Sequence, residues 1–245
     1  MRVVDLASRP DLLGAALNLG DVGGHFLYQG ASGTVITPER LLEHWAGYFL
    51  IGVENDVPVA RAISLPLAFP TEDRADLPDR GWDQAIQWAG LDIMEGRTPT
   101  ALFAVEVVVA AHLRGTGLSG QMLRALKTRA TEDDLSRLIV AVRPIDKEDE
   151  PDVPMTEYAP RRRGDGLLAD RWMRTHERLG ARMIQICPLA VTITGSLTDW
   201  HDWTGVTLAD GENRVPGGIA PVYASVKHDY GVYVEANVWF EHPLW

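Results

Sequence analysis

Apolar residues along this chain change period several times, and each change marks an element. Thr37-Pro38-Glu39-Arg40 opens a helix, with Thr37 as N-cap and Pro38 in the first helical position. Leu41, Leu42, Trp45 and Phe49 follow at helical spacing. Tyr48 to Val53 and Val57 to Leu65 then read as two strands around the turn Glu54-Asn55-Asp56. The stretch from Pro66 to Gly81 is rich in proline and charge and reads as a loop. A helix follows over Trp82 to Met94, with Trp82, Ile86, Ala89 and Ile93 on one face.

The pattern sharpens at Ala101–Ala111, which runs Ala-Leu-Phe-Ala-Val-Glu-Val-Val-Val-Ala-Ala. So continuous an apolar run predicts a strand buried on both faces. It leads through His112-Leu113 into Arg114-Gly115-Thr116-Gly117-Leu118-Ser119-Gly120 and then a helix with Leu118, Met122, Leu123 and Leu126 inward. Leu138 to Val142 is a second buried strand, expected to lie parallel to the first. Residues 144–166 hold Pro144, Pro151, Pro154, Pro160 and the basic run Arg161-Arg162-Arg163, and read as a long surface loop. Leu167 to Leu179 returns to helix, with Leu168, Trp172, His176 and Leu179 on one stripe and Gly180 as its stop. Met183–Thr194, Ala220–Val226 and Val232–Phe240 read as further strands. Residues 10–50 are broken by glycine, as in Gly20-Asp21-Val22-Gly23-Gly24. Neither an internal repeat nor a linker interrupts the chain, so one domain over residues 1–245 is expected.

Composition narrows the function. The chain has 245 residues, 46% of them apolar, which is enough to build a core without staples. Cys187 is the single cysteine, so neither a disulfide framework nor a multi-cysteine metal site is available. The seven histidines are scattered without ligand spacing, and no metal is expected. A net charge of −11 argues against nucleic acid, which is bound through a basic footprint, yet would not repel a small cationic amine. No apolar run is long enough to span a bilayer, and Met1-Arg2-Val3-Val4-Asp5 has no signal-peptide character. A cytoplasmic protein is the expectation.

The glycine turn after the buried strand carries the candidate chemistry. Unpaired N–H groups and the positive end of a helix dipole bind anions, phosphate above all. Gly115, Gly117 and Gly120 satisfy G-x-G-x-x-G, the dinucleotide fingerprint, but the next strand ends in Arg143-Pro144, where a ribose-binding acid belongs. The other reading is R-x-x-G-x-(G/A), met by Arg114, Gly117 and, imperfectly, Ser119. Here the chain resembles the GCN5-related N-acetyltransferase family. That family's coenzyme A pyrophosphate loop commonly reads Arg-Gly-x-Gly-x-Gly after a buried fourth strand, as Leu113-Arg114-Gly115-Thr116-Gly117-Leu118-Ser119 does with Ser119 in the last small position. Thr175-His176-Glu177-Arg178-Leu179-Gly180-Ala181 stands where the family often ends a late helix in aromatic–Tyr–x–x–Leu–Gly-Phe, with His176 where Tyr is common. The resemblance covers roughly residues 48 to 194.

The resemblance implies an α/β (α+β) fold: a mixed, mostly antiparallel sheet, splayed around two central parallel strands, with helices on both faces. The segment of about 195–245 elaborates it. It also implies acyl, most readily acetyl, transfer from acetyl-CoA (coenzyme A) to the amine of a small molecule by direct attack, with a homodimer left open. Backbone amides of Arg114, Gly115, Thr116, Gly117, Leu118 and Ser119 would hold the pyrophosphate. The pantetheine arm would lie along Val107, Val108 and Val109, where a free N–H would stabilise the oxyanion.

Two side chains are candidates for proton chemistry. Glu106 is the only charge in the buried strand. Strand alternation puts it on one face with Ala104 and Val108, opposite Val105 and Val107. It reads equally as a general base and as a salt-bridge partner of Arg61 or Arg143. His176 reads as a general acid or base, or as a hydrogen-bonded core histidine. Arg161–Arg163 reads as a solvated face or a contact to the 3′-phosphate, and Trp200-His201-Asp202-Trp203 as packing or as an acceptor wall. Asp83 reads as a helix-end charge, and Cys187 as buried and inert. Two other readings stand beside transfer: a non-catalytic acyl-CoA-binding protein, and an NAD(P)-dependent oxidoreductase using the glycine turn.

Overall fold

The computed structural model describes residues 1–20 and 23–244; Asp21 and Val22, in the middle of the glycine break, and Trp245 lie outside the described residues. The chain begins with strand β1 (Arg2–Asp5), a short helix α1 (Leu13–Leu17), two 3₁₀ turns (His25–Gln29 and Ala31–Thr34) and helix α2 (Pro38–His44). Thr37 caps α2 by accepting the Arg40 N–H, with Pro38 in the first turn as the sequence predicts. The hairpin β2 (Phe49–Glu54) and β3 (Val57–Leu67) turns at Asn55 and Asp56, both at positive φ (50° and 61°). Helix α3 (Gly81–Glu95) then leads to β4 (Ala101–Val109), α4 (Leu118–Glu132) and β5 (Leu138–Val142). Helices α5 (Met155–Tyr158) and α6 (Arg171–Arg178) follow, then β6 (Arg182–Gly195) and α7 (Leu197–Thr204). Strands β7 (Gly211–Asn213), β8 (Val222–Ser225) and β9 (Tyr230–His242) complete the sequence of elements.

Among the described residues, nine strands form one sheet in the order β1-β2-β3-β4-β5-β9-β8-β7, with β6 on the other edge of β9. β4 and β5 are its one parallel pair among the described residues, joined through α4 as a parallel crossover requires. Side chains alternate between two cores. Ala101 and Phe103 of β4 pack with Ile86 and Ala89 of α3, whereas Leu102 and Ala104 pack with Met122, Leu123 and Leu126 of α4. The mixed sheet with helices on both faces is the expected architecture.

Alternation fails at one place with consequences for the site. The β3–β4 register skips Val105: Ser64 faces Ala104, and Ile63 faces Glu106. This β-bulge inserts an extra residue and reverses the parity beyond it. Glu106 therefore lies on the α3 face with Phe103 and Val108, not with Ala104 as strict alternation implies.

Other expectations need correction. Residues 144–166 are not a bare surface loop, because Met155, Tyr158 and Ala159 are buried against α4 and α6. Lys147 is buried too, its ammonium donating to the carbonyls of Glu150, Pro151 and Ile219. On α3, Ile93 is exposed while Asp83 and Asp92 are buried, since polar anchors replace apolar packing at both ends. Leu197–Thr204 is a helix, started by a capping box in which Ser196 and Asp199 exchange hydrogen bonds.

Trp200 of that helix is fully buried against Phe26 and Tyr233 and donates its indole N–H to the Gly231 carbonyl. We expect Trp200→Ala to cost about 3–5 kcal/mol in denaturant unfolding. A loss below about 1 kcal/mol would show that this cluster does not hold the β8–β9 end to the sheet.

Candidate active site

β4 and β5 pair over only three positions: Leu102 with Leu138, Phe103 with Ile139, and Ala104 with Val140. Beyond them the strands part. Val105 to Val109 have no strand partner on the β5 side among the described residues, so their backbone groups line an opening. A second gap adjoins it. β5 and β8 lie on the same edge of β9, pairing with residues 238–242 and 230–233, because β6 occupies the opposite edge along both stretches. Among the described residues, Val234 to Asn237 are left without a strand on that edge. The resulting cleft encloses about 660 Å³, part of it open to solvent.

On the α4 side the cleft is walled by Leu123, Trp172 and His176. The glycine turn opens α4, the helix that carries Leu123 into the cleft lining. Gly115 and Gly117 have φ of 81° and 87°, a region that side chains other than glycine rarely adopt. A Cβ at either would meet nothing within 4 Å, so the turn presents bare backbone to open space. Gly117 is the N-cap of α4 and supplies no side-chain bond, which leaves the first-turn N–H groups for an external acceptor. A diphosphate fits this turn, and an extended amide-bearing arm fits the unpartnered edge of β4. Arg114, Gly115, Thr116 and Gly117 are exposed, whereas the Leu118 side chain enters the core and offers only its amide. Val107 lines the cleft; Val108 is buried beside Arg61, and Val109 packs toward α4.

On the α3 side, polar groups replace apolar ones. Glu106 accepts from Arg61 Nε at 2.5 Å and from the Tyr28 hydroxyl at 2.8 Å, and Arg61 is held in turn by the carbonyls of Ala16 and Leu17. Of the two arginines anticipated as partners, Arg61 is the one used. Arg143 instead binds Glu235, with Nε 3.1 and 3.0 Å from its two oxygens. Glu235 is fully buried and also accepts from the Tyr233 hydroxyl at 2.5 Å. The Asn237 amide nitrogen, turned toward two acceptors, lies 3.1 Å from Glu235 Oε1. Trp82 donates its indole N–H to the carbonyl of the bulged Val105 at 3.0 Å, fixing the bulge from the α3 side. Asp83 is no exposed helix-end charge. It accepts from Ser32 at 2.5 Å and from the Thr192 N–H, and burial raises its pKa. Through Ser32 it ties down the 3₁₀ segment beside Tyr28.

His176 is completely buried, with Nδ1 2.8 Å from His242 Nε2. Burial, and then the neighbouring His242, hold its pKa well below 6.5; burial and the Lys127 charge bring His242 to about 4. Both rings are therefore neutral near pH 7, and His176 is available as a hydrogen-bond donor or acceptor but not as an imidazolium. Arg161, Arg162 and Arg163 pair with Glu150, Glu177 and Asp165. Cys187 is buried, its thiol pushed up to about 12 by burial, as expected of an inert cysteine. Trp200 packs away from the cleft. Sequence reasoning missed Glu235, Asn237, Tyr28 and His242. Glu235 carried a usable signal: it is the one acid in the largely apolar run Val232–Phe240.

Comparison with known proteins places this geometry. No family model matches the chain. The arginine N-acetyltransferase avaD of Aspergillus versicolor is 31% identical over 227 residues, covering 82% of this chain and 77% of the relative. Among solved structures, the loading GNATL domain of CurA from Lyngbya majuscula superposes with a TM-score of 0.62 at 13% identity, over 99% of this chain and 97% of that one. The GphF GNAT-like decarboxylase in complex with isobutyryl-CoA gives 0.59 at 14% identity over 100% of both chains. These two establish the likeness of fold.

Two outcomes are expected. Gly117→Val, forcing a β-branched residue to positive φ beneath the anion site, should weaken coenzyme A binding at least tenfold in calorimetry while the circular dichroism spectrum is retained; unaltered affinity would remove the turn from the site. Acid sensitivity should also follow from the histidine pair. As pH falls below 6.5 the unfolded rings take up protons that the folded ones refuse. Stability is lost through that window, and His242's share levels off below about 4. Each ring contributes at most about 1.4 kcal/mol per pH unit. Denaturant midpoints near pH 7 and pH 5 should diverge less in the double variant His176→Phe/His242→Leu than in the parent.

Proposed function

The chain belongs to the GCN5-related N-acetyltransferase family, and on that premise we propose that its cleft transfers an acetyl group from coenzyme A to the amine of a small cationic acceptor of the arginine type. It is an acyltransferase that draws on an acyl-CoA co-substrate. The observation that carries the acceptor reading is the polarity across the cleft. An anion-binding turn serves one face of the sheet, and two buried carboxylates, Glu106 and Glu235, line the other. The continuous sheet supports reading residues 1–245 as one such domain, with the C-terminal segment supplying Glu235 and Asn237.

Each residue's part follows from its chemistry. The first-turn amides of α4 and the backbone of Arg114 to Ser119 hold the diphosphate, and the free edge over Val107 to Val109 pairs with the pantetheine arm. The bound thioester supplies the activated acyl group. An unpaired β4 N–H donates to its carbonyl oxygen as negative charge builds there. The acceptor enters from the α3 side between Tyr28 and Trp82. Glu106 retains lone pairs beyond those used by Arg61 and Tyr28, so it draws the ammonium inward and takes its proton directly or through one water. Glu235, already satisfied by Arg143, Tyr233 and Asn237, shapes the far wall. His176 offers a neutral imidazole to the sulfur on the α4 side.

A thiol-release assay with acetyl-CoA and a panel of arginine, agmatine, polyamines and short peptides tests this reading. Release with arginine-like amines is expected. Tyr28→Phe should lower kcat/KM for the amine about tenfold or more, the scale of a hydrogen bond to a charged group, with coenzyme affinity unchanged. Firm coenzyme binding with no thiol released by any amine would turn the assignment toward a non-catalytic acyl-CoA-binding protein.

A further inference from the structure

We propose that His242 is a positioning residue that keeps the proton of His176 on Nε2, so that a neutral imidazole donates a hydrogen bond into the cleft where the coenzyme's sulfur departs. The proposal rests on the acyltransfer reading above.

The two rings share one hydrogen bond of 2.8 Å, between His176 Nδ1 and His242 Nε2. Their outer nitrogens, His176 Nε2 and His242 Nδ1, are buried and have no partner among the described residues. With both rings neutral, only two arrangements are open. If His176 Nδ1–H donates, the second proton sits on His242 Nδ1. If His242 Nε2–H donates, the second proton sits on His176 Nε2. The surroundings discriminate between them. His176 lines the cleft and His242 does not. Neither outer nitrogen is open to solvent, but a ligand seated in the cleft can set an acceptor against His176, whereas a donor on His242 Nδ1 stays sealed in the interior. Buried N–H groups without an acceptor are rare because of their desolvation cost. Trp172 lies edge-on to the His176 ring at 4.5 Å and Phe240 packs at 5.8 Å, so the ring has little freedom to turn over.

The consequence is a donor that does not titrate. During transfer the C–N bond forms and the C–S bond breaks with its electron pair on sulfur. The new amide nitrogen sheds its extra proton through Glu106 to solvent. The His176 Nε2–H stabilises the charge on sulfur without leaving the ring, and the thiolate is protonated by water after release. A neutral donor supports this at any pH above the histidine range, whereas an imidazolium would be lost there.

The test combines ring ¹⁵N–¹H correlation spectra with kinetics, on the full chain, for the parent, His242→Gln and His242→Leu. Gln places an amide N–H near the site of Nε2 and should preserve the donor; Leu removes it. Expected are a proton on Nε2 of His176 in the parent and in His242→Gln, and a mixed or Nδ1-protonated ring in His242→Leu. Turnover in His242→Leu should fall at least tenfold with coenzyme Kd unchanged, and His242→Gln should restore most of it. A parent ring protonated on Nδ1 overturns the proposal, as does an unaltered His176 spectrum in His242→Leu. Should Leu misfold, the parent and Gln spectra still decide the tautomer. A shifted tautomer with undiminished turnover would instead reject the part given to His176 in the transfer reaction, so the two readings fail separately.

Discussion

The parting of two parallel strands after three residue pairs is the constraint on which everything else here depends. A sheet is held by its ladder, and every interrupted rung leaves backbone donors and acceptors that need another partner. Here the interruption is built in three ways. Val105 bulges out of register with β3, β5 ends at Val142, and β9 passes four residues between its pairing with β5 and with β8. The result is an opening through the sheet itself, so that a ligand on the α4 face and another on the α3 face can meet within one cleft.

An opening in the middle of a core is costly to hold, and polar groups do much of the holding. Arg61 with Glu106 and Arg143 with Glu235 are buried ion pairs on the two sides of the α3 half of the cleft. Buried pairs of this kind contribute little net stability, because desolvation offsets most of the attraction. Their value lies in placing carboxylates in a fixed position with lone pairs to spare. Trp82 and Asp83, neighbours at the start of α3, anchor the bulge and the 3₁₀ segment that carries Tyr28. One helix start thus fixes two walls of the acceptor side. The α4 face is different in character. It is apolar, with backbone and a neutral histidine pair as its polar elements.

Much of this was readable along the chain. Apolar continuity located β4 and β5, the glycine spacing located the turn before α4, and Gly180 marked the end of α6, because each of these is a local matter of backbone conformation or periodicity. The resemblance to the acetyltransferase family rested on the same segments. What escaped was nonlocal. Glu106 was visible as an odd charge, but its face was misassigned because a bulge is set by the partner strand and leaves no mark in alternation. Asp83 looked like a helix-end charge because its partners, Ser32 and Thr192, are remote in sequence. His176 could be matched to a family position, but its partner lies sixty-six residues further on.

By itself, then, the sequence located the β2–β3 hairpin, the buried strands β4 and β5 with α4 between them, and the glycine turn ahead of α4, since propensity, period and glycine stereochemistry act over a few residues; the mixed sheet as a whole followed from the family resemblance. Only the tertiary structure decided which arginine neutralises which carboxylate, on which face Glu106 stands, and that His176 is neutral and bound to His242. Charge state and pairing depend on burial and on distances across the fold, and those exist only once strands far apart in the chain have been brought together.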